Sequence, residues 1–302
     1  MMIKNVEIAK VCGLCAGCNN AVNTAENELK NSKVALFKEI VHNKNTNKKL
    51  TDLGIRTIID LNDAKADECI ILRAHGEPPE TYEFLKTHNL KFVDCTCENV
   101  TKIHNLARDF SQKGYKIILI GKYGKNSNAP HPEVFGTIGW CDKTPMLIED
   151  EADLSKLEAD SSSKYYLLCQ TTFNEQKADE LIKKITVICN KLNKELIINK
   201  TICFAQKAIN ISSVELAKKS DIMIVVGGKN SSNSKELFEN VKNYSKAIFI
   251  EDINEWLNEI KRQNIVISID TKIGITAGAS TLKEELATLK HLIETEEITN
   301  EN

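Results

Sequence analysis

No apolar run in this chain approaches the ~20 residues that cross a bilayer, so no membrane association is expected. The start lacks a basic-plus-apolar leader, which argues against secretion and for a cytoplasmic protein. A strong charge of either sign is also missing. The formal net charge is −2, and nothing marks the whole chain as a nucleic-acid binder. Arginine is scarce, confined to Arg56, Arg73, Arg108 and Arg262; with the many lysines, asparagines and isoleucines this reads as base composition rather than function. Neither a G-x4-G-K-[ST] loop nor a G-x-G-x-x-G fingerprint is present, so nucleotide-binding readings lose ground.

Cysteine, by contrast, occurs ten times. In a reducing cytoplasm disulfides are disfavoured, so the excess means metal, redox chemistry or burial. Three cysteines sit where a strand should give way to a loop or helix: Cys15, Cys97 and Cys203. Three thiolates can hold an iron–sulfur cluster but cannot saturate a 4Fe–4S one; the fourth iron would stay open to a substrate. Cys12, Cys15 and Cys18 form C-x2-C-x2-C, the opening of a bacterial ferredoxin motif, but the next cysteine is Cys69 and the motif is not completed. Cys12 and Cys18 read equally well as small packed thiols. Cys95 and Cys97 face the same way on an extended chain, so one is expected as ligand and the other as packing. Cys69, Cys141, Cys169 and Cys189 lie in apolar or structural contexts.

Short runs such as Cys69–Leu72, Lys91–Asp94, Lys116–Ile120, Tyr165–Cys169, Ile222–Val226, Ala247–Ile250 and Ile265–Ser268 are apolar at consecutive positions. That suits strands buried on both faces of parallel sheets. Helical patterns lie between them, at Asn99–Lys113, Asn174–Leu192 and Lys207–Lys219. The rhythm predicts an α/β protein of three similar lobes, 1–97, 98–201 and 202–302, the last with a C-terminal helix and an acidic tail expected to fray.

Candidate polar residues follow these strands, where open α/β sheets bind ligands. His42 and His75 stand beside Asn43 and Gly76. His131-Pro132-Glu133 sets an imidazole and a carboxylate two residues apart, with proline stiffening the turn; such a pair can relay protons. Thr171 follows the Tyr165–Cys169 run. Ser231, Ser232 and Asn233, and separately Ser280, lie in small-polar loops at helix starts, where backbone N–H groups can cradle an anion. Taken singly, each is equally an ordinary cap or surface loop residue.

Together these segments resemble the 4-hydroxy-3-methylbut-2-enyl diphosphate reductase family, of the methylerythritol phosphate route to isoprenoids. The matching pieces are Leu14–Gly17, Val41–Asn43, Ala74–Gly76, Asp94–Cys97 with Val100–Lys102, His131–Val134, Gln170–Thr172, Ile202–Cys203, Asn230–Ser234 and Thr276–Ser280. The resemblance implies a trefoil of three lobes around a central 4Fe–4S cluster on Cys15, Cys97 and Cys203. It implies diphosphate contacts at His42, His75, Ser231, Ser232, Asn233 and Ser280, with His131, Glu133 and Thr171 at the reacting alcohol. The implied reaction is reductive dehydroxylation with two electrons and two protons, fed by reduced ferredoxin or flavodoxin and yielding isopentenyl and dimethylallyl diphosphate. The chain departs from the family pattern at Asn20, at Glu77 and through Phe204–Asn210. It also carries a longer stretch before His131 and the extra Cys12 and Cys18. The competing readings are a divergent paralogue, a non-catalytic iron–sulfur carrier or sensor, and a sugar- or nucleotide-binding protein with packed cysteines.

Overall fold

In this computed structural model residues 3–41, 43–123, 130–229, 231–279 and 281–295 are described. Their strands are β1 (Asn5–Ile8), β2 (Lys33–Phe37), β3 (Arg56–Ile58), β4 (Glu68–Leu72), β5 (Lys91–Asp94) and β6 (Lys116–Ile120). The series continues with β7 (Met146–Ile148), β8 (Lys164–Cys169), β9 (Glu195–Ile198), β10 (Ile222–Val226), β11 (Lys246–Ile250) and β12 (Lys272–Ala277). The consecutive-apolar pattern explains their setting. All five residues of β4 and of β10 are buried. In β6 and β8 alternate residues feed two separate cores: Ile118, Ile120 and Leu167 on one face, Ile117, Leu119 and Leu168 on the other. A strand pointing successive side chains into two cores must be apolar throughout.

Three similar α/β lobes result, each with a four-stranded sheet: β3-β2-β4-β5, β7-β6-β8-β9 and β1-β12-β10-β11. The central pairs run parallel, Phe37 opposite Leu72, Ile120 opposite Cys169 and Val226 opposite Ala277. Counted along the chain, the first two sheets share the order second-first-third-fourth. The third sheet has the same order if β10, β11 and β12 are followed by β1. Thus β1, which chain order groups with residues 1–97, pairs in parallel with β12 and supplies the fourth strand of the last lobe.

By contact the chain divides into two compact units. One comprises Met1–Val22, Glu39–Arg56 and Phe204–Asn302 and holds the third sheet. The other comprises Asn23–Lys38 and Thr57–Cys203 and holds the first two sheets, Arg56 apart.

One expected strand is absent: Ile265–Ser268 is not part of any sheet. Val266 is 86% exposed, and the Ile265 amide closes the preceding helix by donating to the Ile260 carbonyl. The place beside β12 is taken by β1. The helix expected from Lys207 begins at Phe204, directly after the third candidate cysteine. No helix among the described residues is long and apolar enough to cross a membrane.

Candidate active site

The three candidate cysteines occupy equivalent places in the three lobes. Each follows the fourth strand of its sheet, β1, β5 or β9, and each immediately precedes a helix: Ala16–Glu28, Glu98–Gln112 and Phe204–Ala217. Each cysteine amide donates to the carbonyl two residues past the end of the third strand. The pairs are Cys15 to Ala279 at 3.4 Å, Cys97 to Ala74 at 3.1 Å and Cys203 to Thr171 at 2.8 Å. All three thiols are half-buried. A helix start favours the thiolate over the thiol. The Cys15 thiol is drawn down to about 6, first by a hydrogen bond from Cys18 and also by the amides of Cys18 and Gly17, against the effect of burial. Asn99 Nδ2 lies 3.3 Å from the Cys203 sulfur, a donor of the kind that tunes a metal-bound thiolate. The neighbouring thiols differ. Cys12 is buried with its Sγ on the Ala9 carbonyl, Cys95 is buried, and burial raises both.

The donor chemistry fits an iron–sulfur group: soft sulfur on loop–helix junctions, with amides and an asparagine facing it. Among the described residues no three His, Cys, Asp or Glu side chains gather around a single metal ion. A multi-iron cluster takes about one thiolate per iron, so its ligands need no such gathering.

The unit holding the first two lobes carries His131 and Glu133. Chain order placed His131 and Glu133 in a loop; the structure makes them the start of a helix, Pro132–Gly139, with His131 as its cap and proline at its first position. His131 Nδ1 accepts from the Glu133 amide at 3.2 Å. That use of Nδ1 leaves the proton of a neutral ring on Nε2. Glu133 is 2% exposed. Its carboxylate accepts from the Thr171 amide at 2.5 Å and from the Thr171 hydroxyl at 2.7 Å. Burial pushes its pKa up to about 7, while both Thr171 bonds pull the other way. At neutral pH the group therefore exchanges between acid and carboxylate, as a proton donor must.

His75 joins the same cluster, its ring 5.7 Å from that of His131 in a T-shaped contact. The helix bearing Glu133 lies close against the His75 turn. A Cβ on Gly136 would stand 2.9 Å from the Gly76 carbonyl oxygen, and one on Gly139 would stand 2.3 Å from Pro78 Cβ. The contacts thus form a chain: Cys97 to Ala74, His75 to His131, Glu133 to Thr171, Thr171 to Cys203, and Cys203 back to Asn99 on the Cys97 helix.

The other unit carries the small-polar loops. Ser231 caps the helix Ser232–Lys242, its Oγ accepting from the Ser234 amide at 3.3 Å and its own proton remaining to donate. Asn233 lies in the first turn and is half-buried. The side chain of Ser232, and His42 and Ser280 entirely, fall outside the described residues. Their chain neighbours are tied together, with Asn43 Nδ2 3.3 Å from Thr281 Oγ1. Thr281 also accepts the Leu14 amide on its carbonyl and donates to the Val226 carbonyl, linking the loops after β1, β10 and β12. Ser234 Oγ is buried without a hydrogen-bond partner, and a Cβ on Gly227 or Gly278 would lie 2.4 or 2.2 Å from it.

Sequence reasoning gave no role to Thr281, Asn99 or Gln170. Gln170 is 1% exposed and its side chain bonds the Lys122 amide and the Thr172 hydroxyl, joining the loops after β6 and β8. The available signal was position alone, since Gln170 opens the quoted Gln170–Thr172 segment, Asn99 adjoins Val100–Lys102 and Thr281 adjoins Ser280.

Fold and site define an α/β oxidoreductase whose thiol-bearing loops suit an iron–sulfur group. The LytB protein family matches residues 6–294. The 4-hydroxy-3-methylbut-2-enyl diphosphate reductase of Clostridioides difficile is 35% identical over 280 residues, 92% of this chain and 94% of that protein. The enzyme of that name from Aquifex aeolicus is 33% identical over 287 residues, 92% and 91% of the two chains. A solved structure of (E)-4-hydroxy-3-methyl-but-2-enyl diphosphate reductase, described as the terminal enzyme of the non-mevalonate pathway, superposes with a TM-score of 0.73 at 31% identity, covering 96% of this chain and 99% of that one. The corresponding Plasmodium falciparum reductase gives 0.79 at 29% identity, covering 96% and 88%. The chain belongs to the LytB family, that of the 4-hydroxy-3-methylbut-2-enyl diphosphate reductases.

Proposed function

We propose that this protein removes the allylic hydroxyl of 4-hydroxy-3-methylbut-2-enyl diphosphate as water. Two electrons and two protons are consumed per substrate, and isopentenyl and dimethylallyl diphosphate are the products. The observation that carries this reading is the contact chain running from Cys97 through His75, His131, Glu133 and Thr171 to Cys203, with a buried acid of pKa about 7 in its middle.

Cys15, Cys97 and Cys203 would hold the 4Fe–4S cluster. When bound, it supplies electrons singly, and Lewis acidity at an iron with no protein ligand. Glu133 gives up the proton that lets the hydroxyl leave. Thr171, bonded to both carboxylate oxygens, orients the acid and can pass its proton on. His131, with Nδ1 committed to the helix cap, offers Nε2 to the same oxygen. The diphosphate is held by Ser231, Ser232, Asn233 and Ser280, with His42 and His75 adding positive charge if protonated beside it. Reduced ferredoxin or flavodoxin would supply the electrons.

A non-catalytic carrier built on the Cys12–Cys18 run is less well supported, since the Cys12 thiol is buried and its pKa raised by that burial. The test is anaerobic purification followed by assay with a reduced donor and the hydroxylated diphosphate. Formation of the two isomeric products supports the reading. An intact cluster with no turnover refutes it in favour of a paralogue with another substrate.

A further inference from the structure

Three charged side chains lie in or against the turn that carries His75 and have no part in the reaction above. Glu77 is fully buried, at 0% exposure, and Arg73 is 6% exposed. Arg73 Nε lies 2.8 Å from Glu77 Oε1, and Lys38 Nζ lies 3.1 Å from Glu77 Oε2. One carboxylate thus bridges two cations that enter from the ends of neighbouring strands, β2 and β4.

The bridge spans a particular turn. Residues 73 to 77 carry His75 at their centre, and the Gly76 amide closes the turn on the Arg73 carbonyl at 3.2 Å. Gly76 has φ +75, and a Cβ there would stand 2.5 Å from His104 Cε1, so the turn admits only glycine at this point. The Arg73–Glu77 pair closes the turn a second time through side chains. Lys38, which leaves β2 at φ +65, is a non-glycine residue in the left-handed region; such a conformation persists where surrounding contacts fix it. The Glu77 carbonyl accepts from Trp140 Nε1 at 3.1 Å, at the end of the helix that carries Glu133. The Ala74 carbonyl in the same turn receives the Cys97 amide.

We infer that Glu77 is a positioning residue: its bridge to the buried Arg73 and the half-buried Lys38 holds the turn that presents His75 to the substrate's anionic end. A packed apolar trio would support the fold equally well, and a buried ion pair is generally no gain in stability over one. What the bridge adds is direction, because a carboxylate with a cation on each oxygen fixes the turn in one arrangement. The inference deepens the anion-binding reading of His75 and rests on it.

The test is a double-mutant cycle on anaerobically purified holoprotein, read by calorimetric titration with inorganic diphosphate. The proteins are the wild type, Glu77→Gln, His75→Asn and the two changes together. Glu77→Gln is expected to weaken binding about 10-fold alone, and less than about twofold on top of His75→Asn. Equal losses in both backgrounds would make the bridge merely structural and overturn the inference. So would wild-type affinity in Glu77→Gln. If Glu77→Gln does not fold, Arg73→Met with Glu77→Leu removes both charges at similar volume and carries the same cycle to the same two outcomes. Wild-type protein that binds no diphosphate refutes the anion role of His75 itself, a failure distinct from equal losses in the cycle.

Discussion

The second and third lobes share one strand order yet present different chemistry at the same places. After the first strand of each, a side chain caps the next helix: His131 after β6, Ser231 after β10. Two residues past the cap of the second lobe's helix stands a buried acid, Glu133, at 2% exposure. In the third lobe the same turn of helix offers a hydroxyl and an amide, Ser231 and Asn233. After the third strand the contrast repeats, with Thr171 bonded to the acid in one lobe and glycine-flanked small residues leading to Thr281 in the other. After the fourth strand the contrast ends, because each lobe supplies a cysteine with its amide on an equivalent carbonyl. The repeat therefore sets where functional groups can stand, and under the proposed function substitution within it divides the labour: proton delivery in the second lobe, anion binding in the third, cluster ligation in all three.

The largest expected effect breaks what the lobes share. Cys15→Ser, Cys97→Ser or Cys203→Ser should strip or destabilise the iron–sulfur group and take turnover to background, read by iron content and visible absorbance. Cys12→Ser should keep both, since its thiol is buried on the Ala9 carbonyl. Iron lost with Cys12→Ser and kept with Cys203→Ser would overturn the ligand set.

Next comes the acid of the second lobe. Glutamine keeps the shape of glutamate but supplies no acidic proton. Glu133→Gln should lower the rate of hydroxyl loss about 10²–10⁴-fold, with the cluster retained, as measured by rapid-quench turnover.

The same residue gives a pH signature. Burial holds the Glu133 pKa at about 7, above its ordinary value of 4.5, so the folded protein prefers the protonated acid. The stability this confers is fully present below the ordinary value and is lost as pH rises through about 7. The loss is on the order of 3 kcal/mol. Thermal unfolding of wild type against Glu133→Gln from pH 4 to 8 should show the wild-type curve falling relative to the variant; parallel curves would mean that Glu133 ionises freely.

The smallest effect belongs to the third lobe. Asn233→Ala should weaken substrate binding about 10-fold, the range of one hydrogen bond to a charged group, with iron content unchanged. Titration with the substrate and with its non-phosphorylated alcohol checks it, because equal affinity for both would remove the anion role.

Much of the fold was legible in the sequence, for physical reasons. β10 is buried on every residue, and β4 is too, with only Glu68 charged at its start; that leaves long apolar runs, Ile222–Val226 and Cys69–Leu72. Ile265–Ser268 leaves the same kind of run without being a strand, since composition does not reveal that Val266 faces solvent. The three-residue strands β3 and β7 are too short to carry a pattern. The pairing of β1 with β12 was not legible at all, because partner choice depends on contacts about 270 residues apart rather than on local preference. At the site, residue types with distinctive chemistry stood out: cysteine, histidine and the carboxylate beside it. Thr281, Gln170 and Asn99 work through ordinary hydrogen bonds and could be found only from their partners.

The most direct test of the divided labour measures kcat and KM for Glu133→Gln and Asn233→Ala in one assay, on samples of matched iron content. The expected result is a split: kcat falls and KM holds in the first, while KM rises and kcat holds in the second. Equal losses of kcat and KM in both variants would contradict a second lobe that delivers the proton and a third that holds the diphosphate.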